Sequence, residues 1–140
     1  MKVLVTGGLG FIGSHTVVEL QNKGFEVVIL DDLSNSSMDV LKGITKITGT
    51  QPQFENLDLK VKSNVQQFFK KHKDIVGVIH FAASKAVGES VNEPLMYYEN
   101  NISTLVYLLQ ELRNLENKNF IFSSSCTVYG QADELPITEN

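Results

Sequence analysis

The chain has 140 residues, 42% of them hydrophobic and 20% charged, with 12 Lys+Arg against 16 Asp+Glu for a formal charge of −4. That is the size and composition of one globular domain able to bury a core without staples. Scattered basic residues exclude a nucleic-acid face, the lone Cys126 excludes an internal disulfide or a Cys/His metal signature, and no apolar run approaches the ~18 residues of a membrane span.

No signal-peptide core follows Met1-Lys2, so a reducing, cytoplasmic setting is expected. No internal repeat or linker divides the chain. Val3–Val5 is short, apolar and β-branched, and reads as a strand buried on both faces. Ile12, Thr16 and Leu20 carry helical spacing, and Gly24 follows as the stop. Glu26–Leu30 reads as a second buried strand, Ser37–Thr48 as a weaker helix around Leu41 and Ile44, and Gln53–Asn56 as a weak strand. Val65, Phe68, Phe69 and His72 mark a third helix, whose basic end at Lys70–Lys73 suits the negative pole of its dipole. Val76–Phe81 is the fourth strand. A long helix follows, with Asn92 as its cap, Pro94 in its first turn and Ile102, Leu105, Val106, Leu109 and Leu112 on its inner face. Asn119–Phe122 is the fifth strand. The alternation predicts a doubly wound α/β parallel sheet, a Rossmann fold, with helices on both faces. Residues 1–130 form this domain, and 131–140, polar and carrying Pro136, are expected to fray.

The chemistry begins after the first strand, at Thr6-Gly7-Gly8-Leu9-Gly10-Phe11-Ile12-Gly13. Glycine spacing of this kind is a weak signal by itself, but here a strand precedes it and a helix follows it. The chain must reverse tightly, and one glycine must let a diphosphate approach the backbone where a Cβ would intrude. The helix starting near Phe11 then offers free N–H groups and a positive dipole end to the anion. Asp31 ends the second strand close to the ~20-residue spacing at which a carboxylate accepts from adenosine ribose hydroxyls. It would repel a 2′-phosphate, and the only arginine is the distant Arg113, so NAD is favoured over NADP. Asp58-Leu59, after the third strand, is placed to hold the adenine edge.

Small residues leave the fourth strand at Phe81-Ala82-Ala83-Ser84-Lys85, where an open α/β sheet binds ligands. Ala82 and Ala83 leave room for the central part of a cofactor, and Lys85 can reach a ribose or phosphate oxygen. His80 is expected to be a satisfied core histidine. Of Asn100 and Asn101, only one is expected to face inward and find a partner. Tyr97 and Tyr98 read as packing residues. Ser123-Ser124-Ser125 leaves the fifth strand at the same sheet edge, where an uncharged hydroxyl can serve a reacting oxygen. No base is placed beside it, so Ser125 reads as an accessory and Cys126 as a small hydrophobe.

Together Val5-Thr6-Gly7-Gly8-x-Gly10-Phe11-Ile12-Gly13-Ser14-His15, Leu30-Asp31, His80-Phe81-Ala82-Ala83, Lys85-Ala86-Val87-Gly88-Glu89-Ser90, Tyr97-Tyr98-x-Asn100-Asn101 and Asn119–Ser125 resemble the UDP-glucose 4-epimerase family of extended short-chain dehydrogenases/reductases. The Lys85–Ser90 string is the most specific part, and the resemblance covers the whole chain. It implies NAD as cofactor and interconversion of UDP-glucose and UDP-galactose by reversible hydride transfer at sugar C4. By position it implies that Gly7, Gly10, Phe11, Ile12 and Gly13 meet the diphosphate and that Asp31, Asp32, Leu33, Ser34, Asn35 and Ser36 surround the adenosine ribose. Asp58 and Leu59 would flank adenine; Phe81, Ala82, Ala83 and Lys85 would line the nicotinamide side; Asn100 would contact the cofactor region; Ser125 would hydrogen-bond the C4 oxygen.

Asp32, Ser84 and Cys126 depart from the family's usual residues without removing a chemical role. The family's base is a tyrosine activated by a lysine four places on, whereas Tyr97, Tyr98, Tyr107 and Tyr129 are followed at that distance by Asn101, Ile102, Glu111 and Asp133. The 140 residues therefore read as the N-terminal cofactor part of such an enzyme, without its C-terminal substrate domain, and are expected not to turn over alone. A homodimer through the long helix is possible by the same resemblance. The alternatives are the cofactor domain of another nucleotide-sugar dehydratase or reductase, and a non-catalytic NAD-binding scaffold.

Overall fold

The computed structural model describes residues 1–116, 118–125, 128, 130, 135 and 136. The expectations for Cys126 and for most of the 131–140 tail lie outside the described residues. Five strands form one parallel sheet: β1 (Lys2–Thr6), β2 (Glu26–Asp31), β3 (Gln53–Asn56), β4 (Ile75–His80) and β5 (Asn119–Phe122), in the order β3-β2-β1-β4-β5. The order reverses between β1 and β4, which makes that junction the topological switch point.

Both faces of the sheet are covered because each apolar strand supplies two sets of side chains. Val3, Val5, Val27 and Ile29 pack with Val17 of α1 (Phe11–Asn22) and with Leu41 and Ile44 of α2 (Met38–Thr48). Leu4, Val28, Leu30 and Val78 pack with Val65, Phe68 and Phe69 of α3 (Lys62–Lys71) and with Leu108 and Leu112 of α6 (Thr104–Leu112). The doubly wound expectation therefore holds. Ser37 caps α2, its Oγ accepting from the Asp39 N–H, and Gly49 ends that helix at φ 73°. Lys70 and Lys71 sit in the last turn of α3, as the dipole argument requires.

The segment between β4 and β5 departs from expectation in part. The expected long helix is present from Pro94 to Leu112, with Pro94 in its first turn, but as α5 (Pro94–Tyr98), a π-helical turn (Glu99–Ser103) and α6 in unbroken succession, and a separate short α4 (Val87–Asn92) precedes it. Asn92 is not a cap; it ends α4. Glu93, excluded from the α region by the following proline, makes the junction at φ −125° with no side-chain cap, while Pro94 takes the first helical position. The extra residue in the π turn rotates α6 about its axis, so the inner face of α6 is Thr104, Leu108 and Leu112, with Ile102, Val106 and Leu109 turned outward. No helix among the described residues is long and apolar enough to cross a membrane.

Candidate cofactor site

Register brings the strand ends level: Thr6 pairs with Leu30 on one side and His80 on the other, and His80 pairs with Phe122. The exits are then stitched together beyond the sheet. Gly7 N–H donates to Leu30 O at 2.8 Å, Phe81 N–H to Thr6 O at 3.1 Å, Leu57 N–H to Asp31 O at 3.2 Å and Ser123 N–H to His80 O at 3.2 Å. This rim carries the residues read from the sequence, from Asp58 on one side, across Asp31 and the glycine turn, to Ala82 and Ser123.

Each turn glycine has its own reason. Gly7 has φ +65°, and a Cβ there would lie 2.8 Å from Ala82 N. At Gly13 a Cβ would fall 2.2 Å from Gly7 O, so this glycine lets α1 start against the turn. Gly10 differs, since its Cβ would meet only Gly7 O, at 3.2 Å, and its backbone at φ −71°, ψ 173° suits any residue. Apart from that one tight contact, no other atom among the described residues outside its chain neighbours lies within 4 Å of such a Cβ. Gly10 also stands at the N-cap of α1, with no side-chain cap and no acidic residue in the first turn. The N–H groups of Phe11, Ile12 and Gly13 have no acceptor inside the helix. Open space, uncapped amides and a positive dipole end at one place form a cradle for an anion. Phe11 and Ile12 are exposed beside it.

Asp31 is almost fully buried and already engaged. Its Oδ2 accepts from Leu9 N–H at 3.0 Å; its Oδ1 accepts from Leu33 N–H at 3.0 Å and from Ser36 Oγ at 2.7 Å. A carboxylate has about four lone-pair sites, so roughly one stays open, and a second ligand hydroxyl requires displacing Ser36. The same carboxylate holds the glycine turn to the loop after β2 and restrains Leu33 at φ 61°, a left-handed conformation rare outside glycine and asparagine. Asp32 shapes the outside of that loop by accepting from Ser34 N–H and Oγ, with Asn35 exposed beside it. Asp58 accepts from Lys60 N–H at 2.8 Å, whereas the Leu59 side chain belongs to the core.

Beyond β4, both adjacent amides reach Ser84, which corrects the expectation that only one would turn inward. Asn101 accepts from Ser84 N–H at 2.8 Å and donates to Ser84 O at 2.9 Å; Asn100 Nδ2 donates to Ser84 Oγ at 2.9 Å. Both lie in the π turn, whose wider spiral brings neighbouring side chains toward one point. Tyr97 and Tyr98 are not packing residues in the core. The Tyr97 hydroxyl lies 2.8 Å from Ala86 O and 2.7 Å from Glu89 Oε2, and Tyr98 is exposed. Desolvation, then the Glu89 carboxylate, raises the Tyr97 pKa. Ala83 and Lys85 are exposed, and Lys85 makes no hydrogen bond or ion pair among the described residues. Ser125 is exposed at the end of the serine run, and its carbonyl accepts from Val128 N–H. Among the described residues no cluster of three or more His, Cys, Asp or Glu side chains could hold a metal.

A family model described as GDP-mannose 4,6 dehydratase matches residues 4–140. The UDP-glucose 4-epimerase of Klebsiella pneumoniae is 48% identical over 140 residues, covering 100% of both sequences. The chain belongs to that family, among its UDP-glucose 4-epimerases. The epimerase of Haemophilus influenzae is 50% identical over 140 residues, all of this chain and 41% of that protein. The crystal structure of the Bifidobacterium longum epimerase, in complex with NAD+ and UDP, superposes with a TM-score of 0.92 at 45% identity, covering 99% of this chain and 41% of that one. The chain thus spans about two fifths of the length of the Haemophilus influenzae and Bifidobacterium longum epimerases.

Proposed function

We propose that residues 1–130 bind NAD along this rim and supply the cofactor-binding part of a UDP-glucose 4-epimerase. The observation that carries the reading is Gly10: a glycine that its own φ does not demand and whose Cβ would crowd one protein atom, Gly7 O, at the mouth of an uncapped helix. The amides of Phe11 and Ile12 would hold the diphosphate, Asp31 with the loop to Ser36 the adenosine ribose, and Asp58 with Leu59 the adenine edge. Ala82, Ala83, Lys85 and Asn100 would line the nicotinamide side. When bound, NAD supplies a reversible hydride acceptor for C4 of UDP-glucose or UDP-galactose. Ser125 would hydrogen-bond the C4 oxygen and orient it, but no tyrosine here has a lysine four places on to take its proton. The 140 residues alone therefore do not epimerise. A cytoplasmic setting fits this reading. The outward stripe of Leu95, Tyr98, Ile102, Val106 and Leu109 on α5, the π turn and α6 supports self-association as a homodimer.

Calorimetric titration with NAD and NADP tests the proposal. Saturable binding of NAD, at least tenfold tighter than NADP because Asp31 repels a 2′-phosphate, is expected. A folded chain that binds neither, or prefers NADP, overturns it.

A further inference from the structure

Thr6 and His80 close the two central strands on either side of the switch point, and both are buried. Thr6 Oγ1 lies 2.6 Å from His80 Nδ1 and receives the Ala82 N–H at 3.4 Å. A hydroxyl has one proton to give and two lone pairs; Ala82 N–H takes one lone pair, and among the described residues His80 Nδ1 is the acceptor in reach that puts the Thr6 proton to use. With the proton sent that way, the neutral imidazole keeps Nδ1 bare and carries its own proton on Nε2. Its ring lies beside Phe122, with centroids 5.9 Å apart and planes at 26°, and beside Phe120, tilted by 33° at 6.2 Å. The walls it joins are already in contact, since the missing Cβ of Gly7 would touch Ala82 N.

We propose that His80, as the neutral Nε2–H tautomer, is a positioning residue for the dinucleotide site. By taking the Thr6 hydroxyl proton it aims Thr6 Oγ1 at Ala82 N–H, and so sets the gap between the glycine turn and the chain leaving β4. The functional half of this inference rests on the proposed NAD reading. Burial supports it, pushing the His80 pKa down to about 4, so the neutral ring persists through the neutral pH range.

The test joins ¹⁵N NMR of the imidazole with NAD calorimetry on the 140-residue chain. At pH 7.5, Nδ1 should show the shift of an unprotonated nitrogen and Nε2 that of a protonated one, and Thr6→Val should move the Nδ1 shift. His80→Asn, whose amide oxygen can replace Nδ1 as acceptor, should keep NAD affinity within about threefold. His80→Phe, which keeps the ring and loses the acceptor, should weaken it about tenfold. A proton on Nδ1 in the wild type, or wild-type NAD affinity in His80→Phe, overturns the proposal. Should His80→Phe not fold, the imidazole shifts and His80→Asn still decide. A wild-type chain that binds no NAD defeats the proposed function instead, and the shifts then judge the hydrogen-bond polarity alone.

Discussion

The glycine turn allows folding and binding to be separated by two single-methyl substitutions. In Gly13→Ala the new Cβ would sit 2.2 Å from Gly7 O and 2.9 Å from Gly8 Cα, both backbone atoms. Gly7 O cannot swing aside freely, because it accepts the Gly10 N–H at 3.0 Å. Overpacking of this kind costs about 1–3 kcal/mol, and contact with fixed backbone lies at the upper end. Alanine recovers at most about 1 kcal/mol through helix propensity, so a net loss of about 2 kcal/mol is expected, or roughly 6–8 °C in Tm for a domain of this size. In Gly10→Ala the only close neighbour is Gly7 O at 3.2 Å, and the backbone is already alanine-like. Its stability cost is the loss of a favourable N-cap glycine, about 0.5–1 kcal/mol, with a smaller addition for the slight shift of Gly7 O, and it stays below that of Gly13→Ala. The same methyl occupies the cradle, so NAD affinity should fall at least about tenfold as the anion loses its amide contacts. Thermal unfolding and NAD calorimetry on both variants give the readout. A Gly13→Ala chain as stable as wild type, or a folded Gly10→Ala chain with wild-type NAD affinity, refutes the assignment of separate roles.

Asp31→Ala removes the acceptor of the buried Leu9 N–H together with those of Leu33 and Ser36; a loss of about 2–3 kcal/mol in urea denaturation is expected, with NAD binding abolished. His80 makes stability depend on pH. Folded, it stays neutral down to about 4, whereas unfolded it takes a proton at its ordinary 6.5, so its full contribution is present above pH 6.5 and is lost as pH falls toward 4. The loss approaches about 3 kcal/mol, and unfolding free energies from urea titrations at pH 7.5 and 4.5 should differ less in His80→Asn than in wild type by most of that amount. Asn101→Ala deletes both hydrogen bonds to the Ser84 backbone; amide exchange at Ser84 should quicken at least about tenfold while Tm drops by only a few degrees.

Strands were legible because β1, β2 and β4 are unbroken apolar runs, a pattern that suits only burial on both faces. The glycine turn and Asp31 were legible because their offsets from those strands are set by the geometry of one strand, turn and helix. What stayed hidden depends on contacts between distant segments. No local pattern announces that Asp31 would spend Oδ2 on Leu9, or that Thr6 would meet His80 across 74 positions of chain. The region from Val87 to Leu112 misled for a different reason: its apolar residues fit a continuous helix, and only the Glu93-Pro94 junction and the π turn decide which of them face inward. Asn100 and Asn101 show the consequence, since in a regular helix adjacent amides diverge by about 100°, and here both converge on Ser84.

The most direct test is a crystal structure of this chain grown with NAD. The account predicts the diphosphate against the Phe11 and Ile12 amides, passing over the Gly10 Cα, with the adenosine ribose at Asp31. A dinucleotide seated elsewhere, or a well-ordered turn left bare at saturating NAD, contradicts it.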